Sequence, residues 1–153
     1  MTGRGLEIPR DHYEEIIAHC QQERPKEACG ILAGIRPPWL IPPGGPEPLI
    51  VESRRVICIY PMRNVEESPI GYSMDPKEQL KIERDMRVRN QQMIGVYHSH
   101  TASEASPSSV DVSLAISTDL SYVIVSLKDN ERPALKSYRI DGSTVSEEEV
   151  VQV

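Results

Sequence analysis

Two histidines and an aspartate carry the clearest chemistry in this chain. His98 and His100 stand one residue apart in the run Val96-Tyr97-His98-Ser99-His100, and Asp111 follows eleven residues after the second of them. Side chains on an extended strand alternate between faces, so residues two apart point the same way. The imidazoles therefore converge. A carboxylate adds a hard oxygen donor, and two imidazoles plus one carboxylate with a vacant fourth position is the usual ligand set of a hydrolytic zinc centre. Each part also has a plainer reading. Paired histidines on a strand can be satisfied by hydrogen bonds alone. Ser108-x-x-Asp111 is also a helix-start signal, and an acidic side chain is favoured there by the helix dipole. Only the conjunction points to a metal.

The elements that must hold these residues can be traced in the pattern. Leu6 to Ile8 reads as a short strand. Arg10 to Glu23 predicts a helix with Pro9 near its start, an apolar stripe of Tyr13, Ile16, Ile17 and Cys20, and Pro25 at its end. Ala28 to Gly34 is a short apolar run bounded by glycine, as in a buried strand. Arg36 to Pro48 holds six of the chain's thirteen prolines and predicts an extended loop. A strand is expected from Leu49 to Tyr60. A charged helix starts at Asp75-Pro76 and runs to about Asn90, with a narrow apolar face of Leu80, Ile82 and Met86. Met93 to His98 predicts a strand. Pro107 to Ile116 predicts a helix with Ser106 at its cap. Tyr122 to Leu127 and Leu135 to Ile140 are further strands, and the tail from Ser146 to Val153 is either a last strand or a frayed end. The elements mix without regular βαβ alternation. The expected fold class is α/β, of the α+β kind, with a mostly antiparallel or mixed sheet and flanking helices.

Bulk properties narrow the function classes. At 153 residues, 39% apolar and 26% charged, the chain has the size and composition of one globular domain spanning residues 1–153. Its net charge of −6 and pI near 5.2 argue against a nucleic-acid or anionic-membrane partner. No run approaches the roughly 20 apolar residues that cross a bilayer, and Met1 to Arg10 lacks a secretory apolar stretch. The expectation is a cytoplasmic protein. Cys20, Cys29 and Cys58 are odd in number and form no CxxC pair, so they read as buried or inert thiols. Ser99 faces away from the two imidazoles and reads as structural. His12 and His19, on the first helix, read as surface residues.

The stretch His98 to Asp111 resembles the JAMM motif, HxHx7Sx2D, of the MPN-domain metallopeptidases, with every fixed position present. Pro25 to Gly34 is similar to that family's upstream PxExCGxLxG segment. Pro61-Met62-Arg63-Asn64, Tyr72-Ser73-Met74-Asp75-Pro76 and Gly95-Val96-Tyr97 match further. The resemblance runs from about Leu6 to Ile140 and is strongest to small stand-alone prokaryotic members, which are similar to peptidases acting on ubiquitin-like sulfur-carrier proteins. It implies an MPN-like fold of cytidine-deaminase-like architecture, and zinc as cofactor on His98, His100 and Asp111. It also implies Glu27 as general base and acid, and Ser108 as hydrogen-bond donor to the oxyanion. The substrate it implies is a peptide or isopeptide bond after the C-terminal Gly-Gly of a ubiquitin-like sulfur-carrier protein, or that protein's amino-acid adduct.

Two departures stand out. Thr101 occupies a position where proline is common in the small members, which predicts a looser loop after the histidines. The Pro-rich stretch 36–48 looks longer than the family needs. It serves either as an exposed connector or, through Trp39, as a cap on the partner-binding surface or a homodimer contact. Two rival functions remain at this level: a non-catalytic MPN scaffold, which typically lacks motif residues that are all present here, and a zinc hydrolase of small amides.

Overall fold

The computed structural model describes residues 5–36 and 54–153. In chain order the elements are β1 (Leu6–Ile8), α1 (Arg10–Glu23), β2 (Cys29–Ile35), β3 (Cys58–Met62), α2 (Pro76–Val88), β4 (Gln91–His100), α3 (Ser109–Ser113), β5 (Ser121–Ser126), β6 (Ala134–Asp141), β7 (Thr144–Glu148) and β8 (Val150–Gln152). Six of the strands form one sheet in the order β3-β2-β4-β5-β6-β7. β4 and β5 run parallel, and every other neighbouring pair in that sheet is antiparallel. The sheet is mixed, with helices on both faces, as the pattern predicted.

Strand β2 explains the layering. Ala28 and Leu32 pack with Ile16 and Cys20 of α1 and with Tyr97 on one face. Cys29, Ile31 and Ala33 pack with Met62 and with Met86 of α2 on the other. A strand covered on both faces needs apolar residues at both parities, which is why its sequence is a continuous apolar run. Full burial of one such side chain, Ile31 for example, contributes about 1.5–3 kcal/mol. α1 and α2 thus clamp the centre of the sheet. None of the helices among the described residues is long and apolar enough to cross a membrane.

Gly30 is required by close approach. A Cβ there would overlap the ring of Tyr97, which is itself fully buried. Gly30→Ala is therefore expected to cost about 1–3 kcal/mol through overpacking, read as a lower midpoint of urea unfolding at unchanged slope. A midpoint equal to the parent's would contradict this packing.

Several boundaries differ from the sequence expectation. Trp39 and the Pro-rich stretch from residue 37 onward lie outside the described residues, as does the part of the expected Leu49–Tyr60 strand up to residue 53. Arg54 to Val56 is not in the large sheet. Glu7 of β1 bonds the Arg54 carbonyl and the Val56 N–H instead, so the regular strand begins at Cys58. The acidic tail is ordered in β7 and β8, with β8 pairing in parallel with β1. The helix expected over Pro107–Ile116 is only α3, and its cap is Ser108 rather than Ser106. The hydroxyl of Tyr122 accepts from the N–H groups of both Ile116 and Ser117, which ends the helix early.

Candidate metal centre

β4 carries both histidines, running two residues further than expected. His98 lies between Cys29 of β2 and Ile124 of β5, and His100 lies beside Ser126 of β5. A strand held in this way fixes the direction of its side chains, and both rings are almost wholly buried. Their Nε2 atoms are 3.1 Å apart. Asp111 arrives from α3. The Ser108 hydroxyl accepts from the Asp111 N–H at 3.1 Å, and Asp111 Oδ2 accepts from the Ser108 N–H at 2.9 Å. The Ser-x-x-Asp helix start is thus real, and it also aims the carboxylate at the histidines. Asp111 Oδ1 is 3.3 Å from His98 Nε2, and Oδ2 is 3.1 Å from His100 Nε2.

This donor set fits zinc. One ligand atom from each of the three residues lies within 4.8 Å of the others. Tetrahedral zinc with bond lengths of about 2.0–2.1 Å places its donors roughly 3.3–3.4 Å apart, close to the separations found. The ring orientation fits as well. His100 Nδ1 is 2.9 Å from the carbonyl of Glu104. A carbonyl only accepts, so Nδ1 carries the proton and the Nε2 lone pair of the neutral ring faces His98 and Asp111. Tyr72 stacks on the His98 ring at 4.7 Å.

Charges are tuned by burial and by these contacts. Burial lowers the pKa of His98, and the hydrogen bond to Asp111 offsets part of the effect. His100 feels the same burial, but its bonds to Asp111 and to the Glu104 carbonyl outweigh it and raise the pKa. Burial pushes Asp111 upward, and the hydrogen bonds with His100 and His98 overcome that and hold it far below the usual carboxylate range. For Glu27, burial pushes the carboxyl up to about 7; His100 opposes the rise, while Asp111 and Glu66 add to it.

Glu27, His100, Ser108 and Asp111 line one cavity of about 370 Å³, together with Glu66, Pro69, Ile70, Tyr72 and the segment from Thr101 to Ser103. Ser99, pointing to the opposite face, accepts from the Ala28 N–H at 2.8 Å and so ties the segment that carries Glu27 to the histidine strand. Four of the five residues singled out from the sequence therefore border one space, and the fifth, His98, lies behind them with its Nε2 against His100 and Asp111. Such a site can hold a divalent cation, present a carboxyl that exchanges protons near neutral pH, and offer a hydroxyl proton to a developing oxyanion.

Three features escaped the sequence reading. His19 is half-buried rather than free at the surface. Its Nδ1 is 2.7 Å from the Tyr97 hydroxyl, and burial lowers its pKa. Thr101 makes a contact that was not foreseen: its hydroxyl donates to the Pro69 carbonyl at 3.1 Å, a bond that proline could not make. Tyr72 and Asn64 fell in segments that matched the family, yet neither was given a role. A buried polar residue whose partners are backbone groups leaves no spacing signal.

A family model of prokaryotic homologs of the JAB domain matches residues 9–141. The CysO-cysteine peptidase of Mycobacterium tuberculosis is 42% identical over 95% of this chain and 89% of its own length. The solution structure of protein DSY2949 from Desulfitobacterium hafniense is 38% identical, covers 96% of this chain and 92% of its own, and superposes with a TM-score of 0.79. AF2198, a JAB1/MPN domain protein from Archaeoglobus fulgidus, covers 99% of this chain and 100% of its own with a TM-score of 0.59 at 17% identity, a likeness of fold.

Proposed function

The chain belongs to the prokaryotic JAB-domain family, and from that premise we propose that it is a zinc metallopeptidase. In this reading it hydrolyses the bond after the C-terminal Gly-Gly of a ubiquitin-like sulfur-carrier protein, or of that protein's amino-acid adduct. The observation that carries the proposal is Glu27 lining the same cavity as His100 and Asp111, which with His98 form the donor cluster. The 42% identical relative named for CysO-cysteine cleavage supports the substrate class.

His98, His100 and Asp111 would hold the zinc. When bound, the cation supplies an acidified water and a charge that polarises the scissile carbonyl. Glu27 accepts the proton of the attacking water and later delivers it to the leaving amine, a task suited to a carboxyl whose pKa burial has raised. With the cation bound, the Glu27 pKa would lie below the value of about 7 that it has among the ligands alone. Ser108 uses a lone pair of its hydroxyl to cap α3, which leaves the hydroxyl proton free to meet the oxyanion. β3 ends the large sheet among the described residues, and a slim Gly-Gly tail can add main-chain bonds along such an edge.

The test is a Gly-Gly-tailed carrier fusion set against a panel of free dipeptides, each with and without a chelator. The fusion should be cut at the junction, the dipeptides left intact, and chelation should abolish cutting until zinc is restored. Dipeptide hydrolysis with an intact fusion would favour a small-amide hydrolase. No turnover of either by zinc-loaded protein would leave a scaffold.

A further inference from the structure

Glu27 sits just before β2 and is not held by the sheet ladder through its own residue. Its main chain is held by the segment between β3 and α2. The Glu27 N–H donates to the Ser68 carbonyl at 2.8 Å, and the Glu27 carbonyl accepts from the side-chain amide of Asn64 at 2.9 Å. Asn64 is 2% exposed. Its Nδ2 also donates to the Gly71 carbonyl at 2.9 Å, while its Oδ1 accepts from the N–H of Glu66 at 3.1 Å and of Ser73 at 3.0 Å. An asparagine amide has two donors and two acceptor lone pairs. All four are used here, every one on backbone.

The consequence is mechanical. Residues 65–73 leave Asn64 and return to it, closed by the bridge between Asn64 and Met74, and they place Glu66, Pro69, Ile70 and Tyr72 on the cavity wall. One buried side chain therefore joins the proposed base to the wall that faces the substrate and, through Tyr72, to the His98 ring. We infer that Asn64 is a positioning residue for Glu27: it holds the base in register with the metal ligands and the cavity wall. This rests on the metallopeptidase reading above. Asn64 itself is neither one of the three donors nor part of the cavity lining.

Asn64→Asp keeps the shape and both acceptors but cannot offer two donors, and it turns a carboxylate toward the carbonyls of Glu27 and Gly71. Zinc content is expected to stay at the parent level, because none of the three donors lies on this segment. kcat on the carrier fusion should fall about 10²-fold, the cost of a misplaced catalytic group, with a smaller change in KM. In a Glu27→Gln background the same substitution should lower the residual rate by less than about threefold, since the group being positioned is gone. Hydrogen exchange gives a readout independent of activity: the Glu27 amide should lose protection in Asn64→Asp and keep it in Ile140→Val, a destabilised control in the separate core cluster on β6, outside the cavity lining. Should Asn64→Asp fail to fold, Asn64→Ser, which retains one donor, takes its place in the same measurements. Unchanged kcat, unchanged Glu27 protection, or an undiminished effect in the Glu27→Gln background would each overturn the assignment. A parent protein that cleaves nothing sinks the peptidase reading, and the exchange experiment still decides whether Asn64 holds Glu27.

Discussion

Glu27→Gln is expected to bind zinc as the parent protein does and to lose hydrolysis by about 10²- to 10⁴-fold, the usual contribution of general acid–base catalysis. The substitution keeps size and hydrogen-bonding shape, and the main-chain bonds to Ser68 and Asn64 do not depend on the side chain. The donors for the cation lie elsewhere, on β4 and α3. What disappears is a group able to take a proton and return it, because an amide does neither near neutral pH. Metal analysis of the purified variant beside its turnover of the carrier fusion separates the two properties. Turnover close to the parent's would mean that another group is the base, and loss of zinc would mean that Glu27 is a ligand.

His98→Ala is expected to remove both properties at once. The ring is 5% exposed, lies between Tyr72 and His100, and supplies one of three donors. Two donors are too few to hold zinc in an open catalytic site, which takes three protein ligands, so occupancy at equimolar zinc should fall to background and turnover with it. Asp111 then keeps only one of the imidazole contacts that hold its pKa down. Thermal unfolding gives a separate reading: added zinc should raise the Tm of the parent and of Glu27→Gln, since ligand binding to the native state stabilises it, and leave His98→Ala unmoved. One equivalent of zinc bound to His98→Ala with parent affinity would remove His98 from the ligand set.

The part of the site carried by short-range pattern was readable in advance. His98 and His100 obey strand parity, and Ser108 and Asp111 obey the arithmetic of a helix start, so each pair follows from local geometry. Glu27 came from resemblance alone, because its approach to the histidines depends on the pairing of β2 with β4, which no local spacing encodes. The errors share a cause. Ser106-Pro107 looked like a stronger helix start than Ser108, but tertiary contact to Tyr122 set where α3 ends and the capping box set where it begins. The stretch from Arg54 to Val56 has strand-like residues, yet β1 claims its backbone. His19 looked exposed on the helix pattern, while its ring reaches a phenol contributed by a strand far along the chain.

Gly30, Tyr97 and His19 occupy what amounts to a single volume divided among three elements. The space a side chain at Gly30 would need is filled by the Tyr97 ring, and the hydroxyl of that ring is in turn bonded to His19. None of the three can drift alone. A descendant that acquired alanine at position 30 would require a smaller residue at 97, and that change would strand the imidazole at 19. These positions should therefore be inherited as a trio, and since Tyr97 immediately precedes His98, evolutionary freedom next to the metal ligand is set from the far side of the sheet.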